Sequence, residues 1–269
     1  MAASLDGTNG LTFNDGTLMG SAQFSNRLIN PNFTVNQRVA TGTVVLAAGA
    51  YGFDRWKAGA SGCTFTFAVS ANVTTLTISA GTLMQVIEGA NLQSGVHVLS
   101  WTGSALGRID AGSYSASGVT GTASGGTNQT IEFAAGTLVM PRYNQGAASS
   151  VQFLPVGLEL ALCQRYYVTS YIGVGVGSVS SAGQVYGGTY YNTSSVAGGK
   201  GVVQVNFLQM RAAPAVNIYS PSTGTLNQIF DNADRAASAI GISAKSFYGS
   251  YNGNGGFVAV MHYTANAEI

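Results

Sequence analysis

"CTFTFAVS" (Cys63–Ser70), followed by "TTLTISAG" (Thr74–Gly81), alternates apolar and polar residues almost without a break. A period of two sends successive side chains to opposite faces of an extended chain, so each segment reads as a half-buried strand and the two together as a β-hairpin. "VHVLSWTG" (96–103), "TIEFAAGTLVM" (130–140) and "SSVQFLPVG" (149–157) continue the series, separated by Gly, Ser and Asn. Helical periodicity is nearly absent, and short Val, Thr, Phe and Tyr runs at this spacing are those of an all-β sandwich or barrel. Beyond residue 168 tyrosine becomes frequent and a second strand set follows: "GKGVVQVNFLQM" (199–210), "AVNIYSP" (215–221), "KSFYGSY" (245–251) and "GGFVAVMHYTANAEI" (255–269). The last of these ties the end of the sequence into a sheet.

Two kinds of segment interrupt this pattern. "LELALCQRYY" (158–167) carries no glycine or turn former for ten residues. Ten residues are too few for a helix to stand alone. As a strand it sets Leu158, Leu160, Leu162 and Gln164 on one face and Glu159, Ala161, Cys163 and Arg165 on the other, both mostly apolar. The expectation is a strand covered on both sides that closes the first domain. The glycine-rich tracts 111–129 and 171–184 are expected to be ordered β structure, because β-branched residues alternate within both, and "GVGVG" (173–177) suits packing against a neighbouring chain.

The 269 residues include 11 Lys plus Arg against 10 Asp plus Glu, 8% charged, where soluble domains average about 25%. The length suggests two domains. With no basic cluster, the footprint needed to neutralise phosphates is missing, which argues against nucleic acid and against an anionic membrane surface. Apolar runs fall short of the ~20 residues a membrane helix needs, so no membrane insertion is expected. Asp6 and Asp15 stand where a secretory leader has positive charge, so the expectation is synthesis in a cytoplasm. Cys63 and Cys163 fit no metal-ligand spacing and read as buried reduced thiols. No nucleotide or hydrolase motif appears, and no metal or cofactor is expected.

Asp54, Arg55 and Trp56 could form a sugar site, with the indole stacking on a pyranose. The structural reading, preferred in a chain this short of charge, has Arg38 or Arg55 pairing with Asp54 and Trp56 filling a core. Trp101 likewise reads as core. A glycan-cleaving enzyme needs two carboxylates about 5–10 Å apart. Glu88, Asp110, Glu132, Asp231 and Asp234 are candidates, but no pair of them sits in a cluster of aromatics, and the chain reads as non-enzymatic. His97 and His262, the two histidines, fall one to each domain, which argues against a His-rich metal site or a Cys/His nucleophile, and His262 reads as a satisfied strand residue. Tyr186, Tyr190, Tyr191, Asn192, Tyr248, Tyr251, Asn252 and Asn254 lie in or beside Gly and Ser loops, and Tyr with Asn is the pairing adaptable recognition surfaces use. They divide between receptor contact and subunit packing.

Four stretches in order carry a resemblance. "LTFNDGTLMGSAQ" (11–23) resembles the strand-turn segment near the start of tailed-bacteriophage fibre modules. "NRLINPNFTVNQR" (26–38) with "YGFDRWKAG" (51–59) resembles the opening of a carbohydrate-binding-module-like jelly roll in phage tail-fibre and receptor-binding proteins. "LELALCQRYY" resembles its closing segment, and "MRAAPAVNIYSP" with "HYTANAEI" resembles the C-terminal tip module. The resemblance implies an attachment segment (1–25), a jelly-roll β-sandwich (26–165) and a smaller β-rich tip (166–269), assembled as a homotrimer. It implies a virion protein, bound to other tail or baseplate proteins through residues 1–25, that contacts a host surface glycan or protein without catalysis. A capsid or tail adaptor and a polysaccharide depolymerase are the alternatives. Arg38, Asp54, Arg55, Trp56, Trp101, Cys163, Arg165, Tyr166 and Tyr167 would be structural. The family's long shaft has no counterpart here, which leaves attachment to residues 1–25.

Overall fold

A computed structural model describes residues 4–6, 10–12, 18–19, 26–146, 153–187, 189–191, 200–252 and 258–269. The chain is all-β and antiparallel, with the β-sandwich character expected from its alternation. It divides into two compact units that are not consecutive in sequence. One comprises residues 1–32, 42–50 and 56–154; the other comprises 33–41, 51–55 and 155–269. No described helix is long and apolar enough to cross a membrane.

In the first unit β1 (Ser4–Asp6), β2 (Gly10–Thr12) and β3 (Leu18–Met19) form a small three-stranded sheet. The main sheet is organised by one long hairpin, β5 (Lys57–Ser70) with β6 (Val73–Ile87), as the alternation at 63–81 foretold. Its turn residues Ala71 and Asn72 both have positive φ, 48° and 62°, the conformation that matches the twist of a two-residue hairpin. Residues 76–78 of β6 pair with β11 (Gly136–Gln145), which continues to β7 (Gly95–Thr102) and β9 (Val119–Ala123). Residues 83–87 pair instead with β10 (Gln129–Phe133), which continues to β8 (Gly107–Ile109). β4 (Val44–Leu46) edges β5. The ladder shifts register where Gly81 meets Gly62: Gly81 has φ +68°, and a Cβ there would lie 2.0 Å from the Gly62 carbonyl oxygen. Only glycine permits that approach.

The core side chains come from both branches of this fork. Phe65, Leu76, Leu83, Leu99, Ile131, Phe133 and Leu138 are fully buried. Trp101, on one branch, meets Phe133, on the other, edge to face at 5.1 Å, a preferred aromatic geometry.

The second unit opens with α1 (Val156–Gln164) and then β12 (Tyr167–Thr169), β13 (Val185–Gly187), β14 (Thr189–Tyr191), β15 (Lys200–Asn206), β16 (Ala215–Tyr219), β17 (Gln228–Phe230), β18 (Asp234–Ile240), β19 (Ser246–Asn252) and β20 (Ala259–Asn266). β20 is its spine. It pairs with β16 along 262–266 and with β12 along 264–266, and with β13 along 259–261 and β17 at Val260. From β17 the sheet runs through β18, β19 and β15 to β14. Ala259, Met261, Tyr263 and Ala265 face a core with Ile218, Ile229, Phe247, Val203 and Val205.

Two expectations are corrected. "LELALCQRYY" is not a strand: residues 156–164 are helical, and 153–155 carry no strand either. The run is rich in strong helix formers. Pro155 offers its carbonyl to the amides of Leu158 and Glu159, and Glu159 places an acid at the positive end of the helix. Glu159 and Cys163, four apart, form the buried side; tertiary packing supplies what ten residues lack alone. The tract 171–184 is turns and bends, with no strand. By contrast, 111–129 contains β9 and a bridge from Ser115 to Gly107.

Candidate functional site

Most of the residues read as structural meet in the second unit. Asp54, fully buried, accepts the Gln37 amide N–H at 2.7 Å, the Gln37 side-chain amide at 2.8 Å and Arg38 Nη1 at 3.3 Å. Arg38 reaches Glu268 with its other amine and lies 3.7 Å over the Tyr167 ring. Arg55 pairs with Glu268 and stacks on Tyr166, and Tyr51 Oη donates to the Ile269 carbonyl at 2.6 Å. Two arginines and two carboxylates thus share one dry cluster. Burial raises the Asp54 carboxyl above its ordinary range, against the pull of Arg38. Cys163, fully buried in the helix of this unit, has its thiol pushed well up by burial. Arg165 lies within 5.9 Å of the Tyr166 ring, and its carbonyl accepts the Arg211 amide. The sequence offered Arg38 and Asp54 as partners; Gln37, Tyr51 and Glu268 join them from positions no spacing rule connects.

In the first unit Trp56 is fully buried, and its indole N–H donates to the Asn30 carbonyl at 2.9 Å. Trp101 donates to the Ala105 carbonyl at 3.0 Å. Neither offers a face to a sugar. Glu132 is held by Arg108 at 2.8 and 2.5 Å and by Thr82 at 2.5 Å, while Asp110 accepts the Thr130 amide at 2.8 Å. His97 is buried and stacked on Tyr143 at 5.0 Å. Among the described residues no group of three His, Cys, Asp or Glu is placed to hold a metal ion.

Among the described residues, the exposed tyrosines and asparagines singled out in the second unit lie on separate strands. Tyr186 is 63% exposed on β13, and Tyr248 and Asn252 are exposed on β19, which is not adjacent to β13 in the sheet. Tyr251 is buried over Gly201, its partner across β15. Tyr190 and Tyr191 lie in β14, in register with Gly201 and Lys200. Asn192 and Asn254 lie outside the described residues.

An open depression of about 640 Å³ lies in this unit, lined by Val179, Ser180, Ser181, Gln184, Pro221, Ser222, Phe230 and Val260. Its walls are the 178–184 and 220–225 loops, and Phe230 and Val260 are opposed across β17 and β20. None of the lining side chains is charged. Hydroxyls and an amide surround apolar patches, an arrangement that can meet a ligand with both hydrogen-bonding and apolar surface. Gln184 donates its side-chain amide to Tyr186 Oη at 2.5 Å, which places the exposed phenol beside the depression. Beneath the 220–225 loop, Ser220 and Thr223 each donate to Asp234 at 2.5 Å. Asp234, a carboxylate candidate from sequence, braces a loop. Asp231 is buried, and neither of its carboxylate oxygens has a hydrogen-bond partner.

His262 lies behind the other wall, fully buried, with Nδ1 at 3.0 Å from Ser170 Oγ and Nε2 at 2.9 Å from the Ser180 carbonyl. A carbonyl accepts only, so Nε2 carries the proton and Nδ1 accepts from Ser170. Ser170 Oγ in turn accepts the Tyr263 amide at 2.9 Å. Burial lowers the imidazole pKa below its ordinary 6.5, opposed by the Ser180 bond.

Comparison of the chain with protein-family models, with curated proteins and with solved structures finds no match.

Proposed function

We propose that the protein is a virion attachment protein of a tailed bacteriophage, a tail fibre or receptor-binding protein that recognises a host surface glycan or protein without catalysis. The sequence resemblance to phage fibre modules suggests this class. The observation that carries it to a site is the uncharged depression at Val179–Gln184 and Pro221–Ser222 with Tyr186 beside it. Such a surface uses hydroxyl, amide and aromatic contacts in place of ion pairs, as adaptable recognition does. The non-catalytic reading draws support from Glu132 and Asp234, whose carboxylates are taken up by Arg108, Thr82, Ser220 and Thr223. In this proposal residues 1–25 dock on other tail or baseplate proteins, residues 26–165 are the jelly-roll module, residues 166–269 are the tip, and the chain is a homotrimer. Three weak sites on one particle gain avidity through effective concentration.

The test pairs Gln184→Ala with Tyr186→Ala, both outside the core. Light scattering should give a trimer for wild type and variant alike, with unchanged circular dichroism. Adsorption of labelled protein to a panel of bacterial strains and to a glycan array should fall at least ~10-fold in the variant. Undiminished adsorption by the double variant would remove the depression from the proposal, and a monomeric mass would remove the trimer.

A further inference from the structure

Arg108 in the first unit and Arg38 and Arg55 in the second each pair with a carboxylate. Arg27 and Arg142 do not: among the described residues neither forms an ion pair. The fold of the first unit brings these two together. Asn26 clamps residues 26–28 onto β11, its side-chain amide donating to the Pro141 carbonyl at 3.1 Å while its Oδ1 accepts the Leu28 and Tyr143 amides at 3.1 and 2.9 Å. Arg27 then donates its own amide to the Tyr143 carbonyl at 2.9 Å. Leu28 and Tyr143 are core residues, so alternation turns their neighbours Arg27, Arg142 and Asn144 to the opposite side. There Ser100 and Val98 stand in register with Arg142 and Asn144, and Ser100 Oγ accepts Arg142 Nε at 3.3 Å.

Asn144 is 1% exposed, yet neither its amide nitrogen nor its carbonyl oxygen has a hydrogen-bond partner, and Arg27 Nε is buried in the same condition. Buried polar groups left unpaired cost about 1–3 kcal/mol each. Burial lowers the Arg142 pKa, and no carboxylate acts to raise it. Two guanidinium forks and an amide donor without an acid suit a negatively charged group. The carbonyl of Asn144 narrows the choice, because it is an acceptor and requires a donor. Sulfate has acceptors only and leaves it unpaired, whereas hydrogen phosphate, or a carboxylate beside a hydroxyl, provides the missing O–H. We propose that Arg27, Arg142 and Asn144 form a binding site for a single oxyanion that also carries a hydroxyl, either a hydrogen phosphate or the carboxylate of an acidic sugar. The arginines take the charged oxygens. Asn144 meets the ion at two points, Nδ2 donating to a charged oxygen and Oδ1 accepting the hydroxyl. Both arginines are half-buried, so the site reaches solvent through them. Two arginines suffice for one such group and fall far short of the footprint of a nucleic acid. The site lies wholly in the first unit and does not rest on the attachment reading.

Arginine Nε–Hε resonances of the intact, isotope-labelled protein read the site directly during titration with inorganic phosphate, glucuronate or sulfate at neutral pH and constant ionic strength. Phosphate or glucuronate should shift the Arg27 and Arg142 signals saturably, with sulfate about 10-fold weaker. Binding of phosphate alone identifies a phosphate group as the ligand; tighter binding of glucuronate identifies an acidic sugar. Arg142→Gln should weaken binding about 10- to 100-fold with unchanged circular dichroism. Asn144→Asp sets a carboxylate of the same shape between the two arginines, so it should abolish the response and raise the melting midpoint. A structural asparagine would do the reverse, since a buried acid without a partner lowers the midpoint. The proposal is overturned if neither phosphate nor glucuronate gives a saturable shift, if sulfate binds as tightly as phosphate, or if the response survives in both variants.

Discussion

The guanidinium carbon of Arg55 stands 3.5 Å over the Tyr166 ring while Nη1 pairs with Glu268, 213 residues away. A planar, delocalised cation stacks flat on a ring while its in-plane N–H groups pair, a geometry that an ammonium does not have. Arg55→Lys should therefore destabilise the second unit by about 2–4 kcal/mol, and Glu268→Gln, which leaves buried positive charge short of a carboxylate, by about 3–5 kcal/mol. Urea denaturation followed by tyrosine fluorescence checks both; a loss under about 0.5 kcal/mol would mean that the pair behaves as an exposed one.

Ala71 occupies a left-handed conformation, φ 48°, in the hairpin turn between β5 and β6. That conformation costs a residue with a Cβ about 1 kcal/mol, which glycine avoids. Ala71→Gly should accordingly raise the stability of the first unit by up to ~1 kcal/mol, read as a higher denaturation midpoint at unchanged m-value.

Tyr251 lies across Gly201 so closely that a Cβ there would stand 2.3 Å from the ring. Gly201→Ala should displace the phenol and cost about 1–3 kcal/mol. Its signature is a change in near-ultraviolet circular dichroism, because Tyr251 serves the core and is unavailable for receptor contact.

Cys63 and Cys163 are free and buried, with the Cys63 thiol raised to about 12 by burial and Cys163 higher still. Only the thiolate reacts. Ellman's reagent at pH 8 should leave both unmodified in the native protein and titrate two thiols after denaturation in guanidinium. Rapid native labelling of either would contradict its burial.

The β5–β6 hairpin is legible in the sequence because nearly unbroken alternation over eight residues on each arm admits one extended reading. "LELALCQRYY" is not, since leucines two apart are also leucines four apart, and the pattern serves a helix or a strand equally. The β17–β18 hairpin was hidden by its own turn: Asp231, Asn232 and Ala233 announce a bend, while "DRAASAI" has too little β-branched character to announce a strand. The Asp54 pairing with Arg38 was visible because charge is scarce. The depression was not, because Ser180, Gln184 and Ser222 are unremarkable singly and converge only through the path of two loops.

The spine strand β20 follows every other described strand of its unit in the sequence. Residues 33–41 and 51–55 belong to the second unit, yet their partners at Glu268 and Ile269 leave the ribosome more than 200 residues later. The second unit consequently cannot complete itself before residues 259–269 emerge: until then, Arg38, Arg55 and Asp54 wait without Glu268 and the sheet lacks its centre. A nascent chain stalled before residue 259 should thus hold a hydrophobic surface that chaperones can bind.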